Sequence, residues 1–355
     1  MTMRERMLAV IRQQTPDRVP FVQYDGLAAP NEEVWDLVGK ENIGVLRWCS
    51  AYWFEHDNCR IEREEIRIDG RQGYRNTLVT PRGELYEEKL CVPELTGVMG
   101  FRKHYVETVD DYAILRAYFN DICVRPNPER VRQAHAELAE TGLPHVSLER
   151  TPFQQLWIQW VSIEQLSMHL VDAPDVVEAC MEIMGDVLLR AAQTIYAVAD
   201  EVFIPHVVIG DNITAPLIGE RRFRTYCLPY YDKVGELMAK KGIPLFVHMD
   251  GDLRPLWGAI GESAVRGLDS LSPPPDNDTS VGDALAMWPE MRVLVNFPSS
   301  VHLASPEIVY AQARAILEQG GRSGRLQIQI SENTPPGAWR KSYPEIVRAI
   351  AEFSG

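Results

Sequence analysis

An imidazole and two carboxylates follow directly on a short apolar run in Pro244-Leu245-Phe246-Val247-His248-Met249-Asp250-Gly251-Asp252. The run reads as a buried strand. Residues two apart on a strand share a face, so His248 and Asp250 can reach the same side. Gly251 between the carboxylates lets the chain turn sharply. In sheets built from βαβ units, ligands and chemistry sit at the carboxyl ends of strands. His248 and Asp250 with Glu332 offer one nitrogen and two oxygen ligands. Such a set suits zinc with an open position, or a non-haem iron or manganese site. The plainer reading makes His248 a hydrogen-bonded strand-end histidine and pairs Glu332 with a nearby arginine such as Arg340. For a His-x-Asp pair alone, so unspecific a spacing favours the plainer reading.

Other polar groups recur just past apolar runs: Tyr24 and Asp25, Glu149, Asp211 and Asn212, Asn296, and Asn333 beside Glu332. Asp211-Asn212 follows Val207-Val208-Ile209-Gly210. It reads either as a carboxylate and amide that hold substrate or move a proton, or as an Asx turn or helix cap. Tyr24 is a candidate for substrate orientation or proton supply, and Glu149 and Asn333 for substrate contact. Trp48, Tyr52, Trp53 and Phe54 form a loop-like aromatic stretch. Trp53 there could close over an apolar ligand, or all four could simply pack between helices. Trp157 and Trp160, three apart on a helix, read as core. His206 and His302 have no partner evident in the sequence, and Cys227 reads as packed.

The elements that position these groups alternate. A first helix spans 2–13 and a first strand 18–24. Antiparallel strands from Glu62 to Leu90 turn at Asp69-Gly70 and Pro81-Arg82-Gly83. Helices follow at 109–119 and 128–141. Strands at 145–149, 201–210, 244–247, 267–271, 291–296 and 326–330 then alternate with helices at 153–171, 174–199, 220–241, 255–263, 281–287, 306–319 and 343–353. This rhythm means a parallel sheet, and its strand count suits a closed eight-fold α/β barrel, a TIM barrel, better than a doubly wound sheet. No G-x-G-x-x-G follows the first strand, and a P-loop, a nucleophile elbow and H-E-x-x-H are absent. The expected organisation is one barrel domain over 1–355, with an inserted hairpin over 58–106.

Composition narrows the function. Fifty acidic against 36 basic residues give a net charge of −14, which argues against nucleic-acid or anionic-membrane partners. The six cysteines form no C-x-x-C pair, no apolar signal core opens the chain, and no run of 18 apolar residues exists. A cytoplasmic protein with reduced thiols is expected.

Several segments resemble the uroporphyrinogen decarboxylase superfamily, within it the cobalamin-dependent methyltransferase branch. They are Arg4-Glu5-Arg6-Met7-Leu8-Ala9-Val10 with Pro16-Asp17-Arg18-Val19-Pro20, then Thr80-Pro81-Arg82-Gly83-Glu84-Leu85, then Val106 to Tyr112, and Leu228-Pro229-Tyr230-Tyr231. The resemblance implies a (β/α)8 barrel with its cleft at the carboxyl ends of the strands. Its corrinoid branch implies zinc held by a His-x-Cys pair and a later Cys, here His248, Asp250 and a position near Glu332. Oxygen ligands in place of thiolates make a harder site, suited to an ether or hydroxyl oxygen. The decarboxylase itself is disfavoured, because 23–29 (Gln-Tyr-Asp-Gly-Leu-Ala-Ala) has no cation to grip substrate carboxylates. The resemblance therefore implies a methyltransferase moving a methyl group from an O-methyl (perhaps methoxy-aromatic) or N-methyl donor to a corrinoid carried by a partner protein. Barrels of this family are often dimers. The alternatives are a metal-free decarboxylase or lyase using Asp211 and His248, and a non-catalytic corrinoid- or tetrapyrrole-binding barrel.

Overall fold

Short runs of β-branched and aromatic residues build the central sheet. A computed structural model describes residues 1–93 and 98–354. Eight strands close into a barrel, and each pairs in parallel with its neighbours. They are β1 (Phe21–Tyr24), β2 (Gly44–Cys49), β3 (Gly142–Leu148), β4 (Val207–Ile209), β5 (Leu245–His248), β6 (Gly267–Leu271), β7 (Arg292–Asn296) and β8 (Leu326–Ile330). Neighbours in space follow chain order, and β8 pairs with β1 to close the ring. Most barrel residues are buried because helices cover the outside and side chains fill the inside.

The amino-terminal helix Met3–Ile11 seals the interior. Its start is fixed by a capping box, in which Thr2 Oγ1 accepts from the Glu5 amide and Glu5 accepts from the Thr2 amide. Met3, Met7, Val10 and Ile11 pack with Val22, Leu46, Leu143, Val208, Phe246 and Leu294 from six barrel strands. Strand β6 departs from regular geometry. Its register with β7 shifts between Leu268 and Leu271, and Ser270 has φ of 64°. A left-handed serine inside a strand marks a bulge, and bulges re-aim neighbouring side chains.

Backbone contacts divide the chain into two units. One comprises 1–51, 126–149 and 192–355 and contains the whole barrel; the other comprises 52–125 and 150–191. The second unit holds a four-stranded antiparallel sheet of Arg60–Ile68, Arg71–Thr80, Gly83–Cys91 and Met99–Lys103. The expected turn at Asp69-Gly70 has φ of 51° and 76°, the pair of positive values a tight hairpin turn needs. The inserted hairpin expected over 58–106 is thus a larger sheet, and its residues 94–97 lie outside the described residues.

Several expectations need correction. Gly44–Cys49 and Tyr52–His56 are strands, so Trp48, Tyr52, Trp53 and Phe54 do not lie in a loop. Gly44-Val45-Leu46-Arg47-Trp48-Cys49 hides its strand because three apolar residues and then an arginine break any alternation. The strand expected over 201–210 shrinks to Val207–Ile209, since Pro205 interrupts the run before it. The helix expected over 153–171 breaks at Val161, which is extended, and Leu156–Trp160 forms a wide π turn.

Gly142 opens β3 where a Cβ would stand 2.1 Å from the Val45 carbonyl oxygen. The obstacle is barrel backbone and cannot rotate away. Gly142→Ala should therefore cost about 1–3 kcal/mol, the range for forced overpacking, read as a lower denaturation midpoint at unchanged m-value.

Candidate metal centre

Strand β5 ends at His248, buried at the barrel's carboxyl end. Two residues on stands Asp250, and Glu332 follows β8. Nitrogen and oxygen atoms from these three side chains all lie within 4.8 Å of one another. Among the described residues, no other trio of His, Cys, Asp or Glu side chains comes this close. His248 Nε2 lies 3.1 Å from Glu332 Oε1 and 3.8 Å from Asp250 Oδ2.

Each group is held from behind. Asn212 Nδ2 donates to Asp250 Oδ2 at 3.0 Å, and Asn277 Nδ2 donates to the Asp250 carbonyl at 2.7 Å. Asn296 Oδ1 accepts from the amides of Ser331 (3.1 Å) and Glu332 (3.3 Å), fixing the backbone that carries Glu332. A Cβ on Gly251 would stand 2.3 Å from Thr214 Cβ, and the Gly251 amide donates to the Ile213 carbonyl. Gly251 has no positive φ, so close approach and not turn geometry requires the glycine. Asp252 accepts from the Asp278 amide.

The cluster meets one carboxylate that the sequence did not single out. Asp269, fully buried on β6, is the register partner of His248 across β5 and β6. Its Oδ2 accepts from His248 Nδ1 at 3.0 Å and from Tyr24 Oη at 2.6 Å. His145 Nε2 lies 3.3 Å from the same oxygen, and His145 Nδ1 lies 2.7 Å from His206 Nε2. His206 therefore does have a partner. Asp269 was hidden because Gly267-Leu268-Asp269-Ser270-Leu271 reads as a core strand, with no chemistry at its end.

The remaining candidates divide. Tyr24 and Asn212 join the centre through Asp269 and Asp250. Asp211, buried, accepts from Tyr231 Oη at 2.6 Å. Glu149 follows β3 half-buried, and Asn333 is exposed beside Glu332. Trp53 belongs to the other unit, on the exposed side of the strand Tyr52–His56. Trp48, 38% exposed on β2, instead stands edge-on to His145 and Tyr24 at centroid distances of 4.6 and 5.4 Å. Arg340 pairs with Glu33, not with Glu332. His302 bonds Ser342, and burial pushes its imidazole down to about 4.

Two observations fit this trio to a cation. Glu332 Oε1 is buried and has no hydrogen-bond donor; its 3.1 Å approach to Nε2 lacks in-line geometry. A bound cation would satisfy that oxygen. Two ligands on a tetrahedral zinc stand roughly 3.3 Å apart at bond lengths of about 2.0–2.1 Å, and the observed 3.1 and 3.8 Å bracket that separation. One nitrogen and two carboxylate oxygens form a harder donor set than thiolates.

Burial alone would lower the His248 pKa, but its hydrogen bond to Asp269 and the close Glu332 and Asp250 carboxylates raise it to about 10. Burial raises Tyr24 well above its ordinary value, and Asp269 adds to this, so it stays a phenol. Burial would also raise Asp269, but His145 and His248 hold it well below the usual carboxylate range. In metal-free protein the protonated His248 thus stabilises the fold. That contribution is complete below the ordinary value of 6.5 and is lost as pH rises through about 10. In chelator, the melting temperature of the wild type should fall relative to His248→Gln across this window; parallel curves would remove the imidazolium from the centre.

The family model for uroporphyrinogen decarboxylase (URO-D) matches residues 134–336, more than half of the chain. No curated protein matches the sequence. Among solved structures, a methyltransferase from Methanosarcina mazei is similar over 100% of both chains, with 14% identity and a TM-score of 0.59. A B12-independent methionine synthase from Shewanella sp. W3-18-1 is 11% identical over 83% of this chain and 75% of its own, with a TM-score of 0.38. The matched segment carries six of the eight barrel strands, β3 to β8, and with them His248, Asp250, Asp269 and Glu332. The chain belongs to the uroporphyrinogen decarboxylase family.

Proposed function

We propose that this protein is a methyltransferase that takes a methyl group from an O-methyl or N-methyl donor and passes it to a corrinoid protein. The observation that carries the reading is the His248, Asp250 and Glu332 trio at the carboxyl end of the barrel. The full-length likeness to a methyltransferase supports it. In this reading His248 Nε2, Asp250 Oδ2 and Glu332 Oε1 hold zinc. When bound there, the ion supplies Lewis acidity toward the charge that grows on the donor heteroatom as the methyl group leaves. A corrinoid on a partner protein would be the acceptor of the methyl group.

The chain's own residues bind and orient. Asn212 turns the Asp250 carboxylate toward His248. The exposed indole of Trp48, beside Tyr24, offers a flat apolar face for a donor ring, which favours a methoxy-aromatic donor. The Tyr24 hydroxyl proton points at Asp269, so we assign Tyr24 to orientation. Glu149 and Asn333 are assigned to methyl-donor contacts around the mouth, and the fully buried Asp211, bonded by Tyr231, to holding the segment that carries Asn212.

A second reading, metal-free decarboxylation with Asp211 and His248 as acid and base, draws on one observation. Without a cation, His248 keeps its proton at neutral pH.

Protein purified without chelator should carry roughly one zinc per chain. Asp250→Ala should lower that content, and His248→Ala should abolish it together with methyl transfer to a corrinoid protein. Chelator should stop transfer and added zinc restore it. Trp48→Ala should raise KM for a methoxy-arene by about fivefold while leaving KM for methanol unchanged, since lost stacking is worth ~1 kcal/mol. A metal-free wild type with His248→Ala fully active would end the proposal. Carbon dioxide release in chelator, without a corrinoid partner, would establish the second reading instead.

A further inference from the structure

An ionised carboxylate has no proton to give, so each nitrogen or hydroxyl facing it must donate. Asp269 receives such donors on both oxygens. Oδ2 faces Tyr24 Oη at 2.6 Å, His248 Nδ1 at 3.0 Å and His145 Nε2 at 3.3 Å. Oδ1 accepts from Gln329 Nε2 at 2.8 Å. The orientation of that amide is fixed in turn, because Gln329 Oε1 accepts from Gln327 Nε2 at 3.0 Å. The donors come from β1, β3, β5 and β8, and Asp269 itself sits on β6 beside the left-handed Ser270. Tyr24, His145, Asp269 and Gln329 are all buried.

We propose that Asp269, held by Tyr24, His145 and Gln329, is the positioning residue that fixes His248 with its proton on Nδ1 and its Nε2 lone pair toward Asp250 and Glu332. The inference rests on the reading of His248 as a metal ligand. A histidine that ligates through one nitrogen needs the other held as a donor, and an outer carboxylate does this while raising the basicity of the ligating nitrogen. Tyr24, His145 and Gln329 act one step further out, by fixing the carboxylate that fixes the imidazole.

The test uses the full chain loaded with zinc, with zinc affinity measured by chelator competition and the His248 ring nitrogens followed by 15N NMR. In the wild type, zinc should sit on Nε2 and Nδ1 should carry a slowly exchanging proton. Asp269→Asn should weaken zinc binding by about 10–100-fold, the usual cost of losing an outer-shell partner, and should speed exchange of the Nδ1 proton. Tyr24→Phe and Gln329→Leu should show smaller changes in the same direction. A folded Asp269→Asn with wild-type affinity and an unchanged Nδ1 proton overturns the proposal, as does zinc bound through Nδ1 in the wild type. That last result stands even if Asp269→Asn fails to fold, and it leaves the metal reading intact. A wild type that binds no zinc removes the metal reading and this inference together.

Discussion

A carboxylate buried among strands is the constraint around which the barrel's carboxyl end is organised. Taking an ionised group out of water is costly unless hydrogen bonds and opposite charge replace the lost hydration. Asp269 recovers that cost from a phenol, two imidazoles and an amide contributed by four other strands. Each of those donors is thereby given one orientation.

The same arrangement sets the chemistry. His248 faces a carboxylate on one nitrogen and two more carboxylates on the other. Three acidic groups around one imidazole exceed what a single proton neutralises, and a divalent cation offsets the excess better. Placing oxygen where the corrinoid branch of the family is expected to hold sulfur shifts the preference of such a cation toward oxygen donors. The open indole of Trp48 lies next to this centre through Tyr24 and His145, so a flat apolar surface and a hard polar one adjoin.

Much of this was legible in the sequence. Barrel strands with clear patterns, such as the apolar run Leu245-Phe246-Val247 and the alternating Leu326-Gln327-Ile328-Gln329-Ile330, announced both themselves and the polar residues after them. That is why His248, Asp250 and Glu332 could be grouped without coordinates. Asp269 could not be found this way, because it lies within its strand and not past its end. His145 and His206 were illegible for a similar reason: their partners are each other and Asp269, which are distant in sequence. Trp48 was misplaced because its strand lacks alternation, and Trp53 drew attention only through its proximity in the chain.

The contacts of Asp269 also bear on how the molecule is made. Tyr24 comes from the first strand of the barrel and Gln329 from the last, with Asp269 between them. Contacts of such long sequence separation must await closure of long loops, which slows folding. On the ribosome the carboxylate therefore emerges before its last donor has been synthesised. Until β8 docks between β7 and β1, the half-built barrel carries an acidic side chain with incomplete support and two open sheet edges, the condition in which a nascent chain most needs shielding from aggregation.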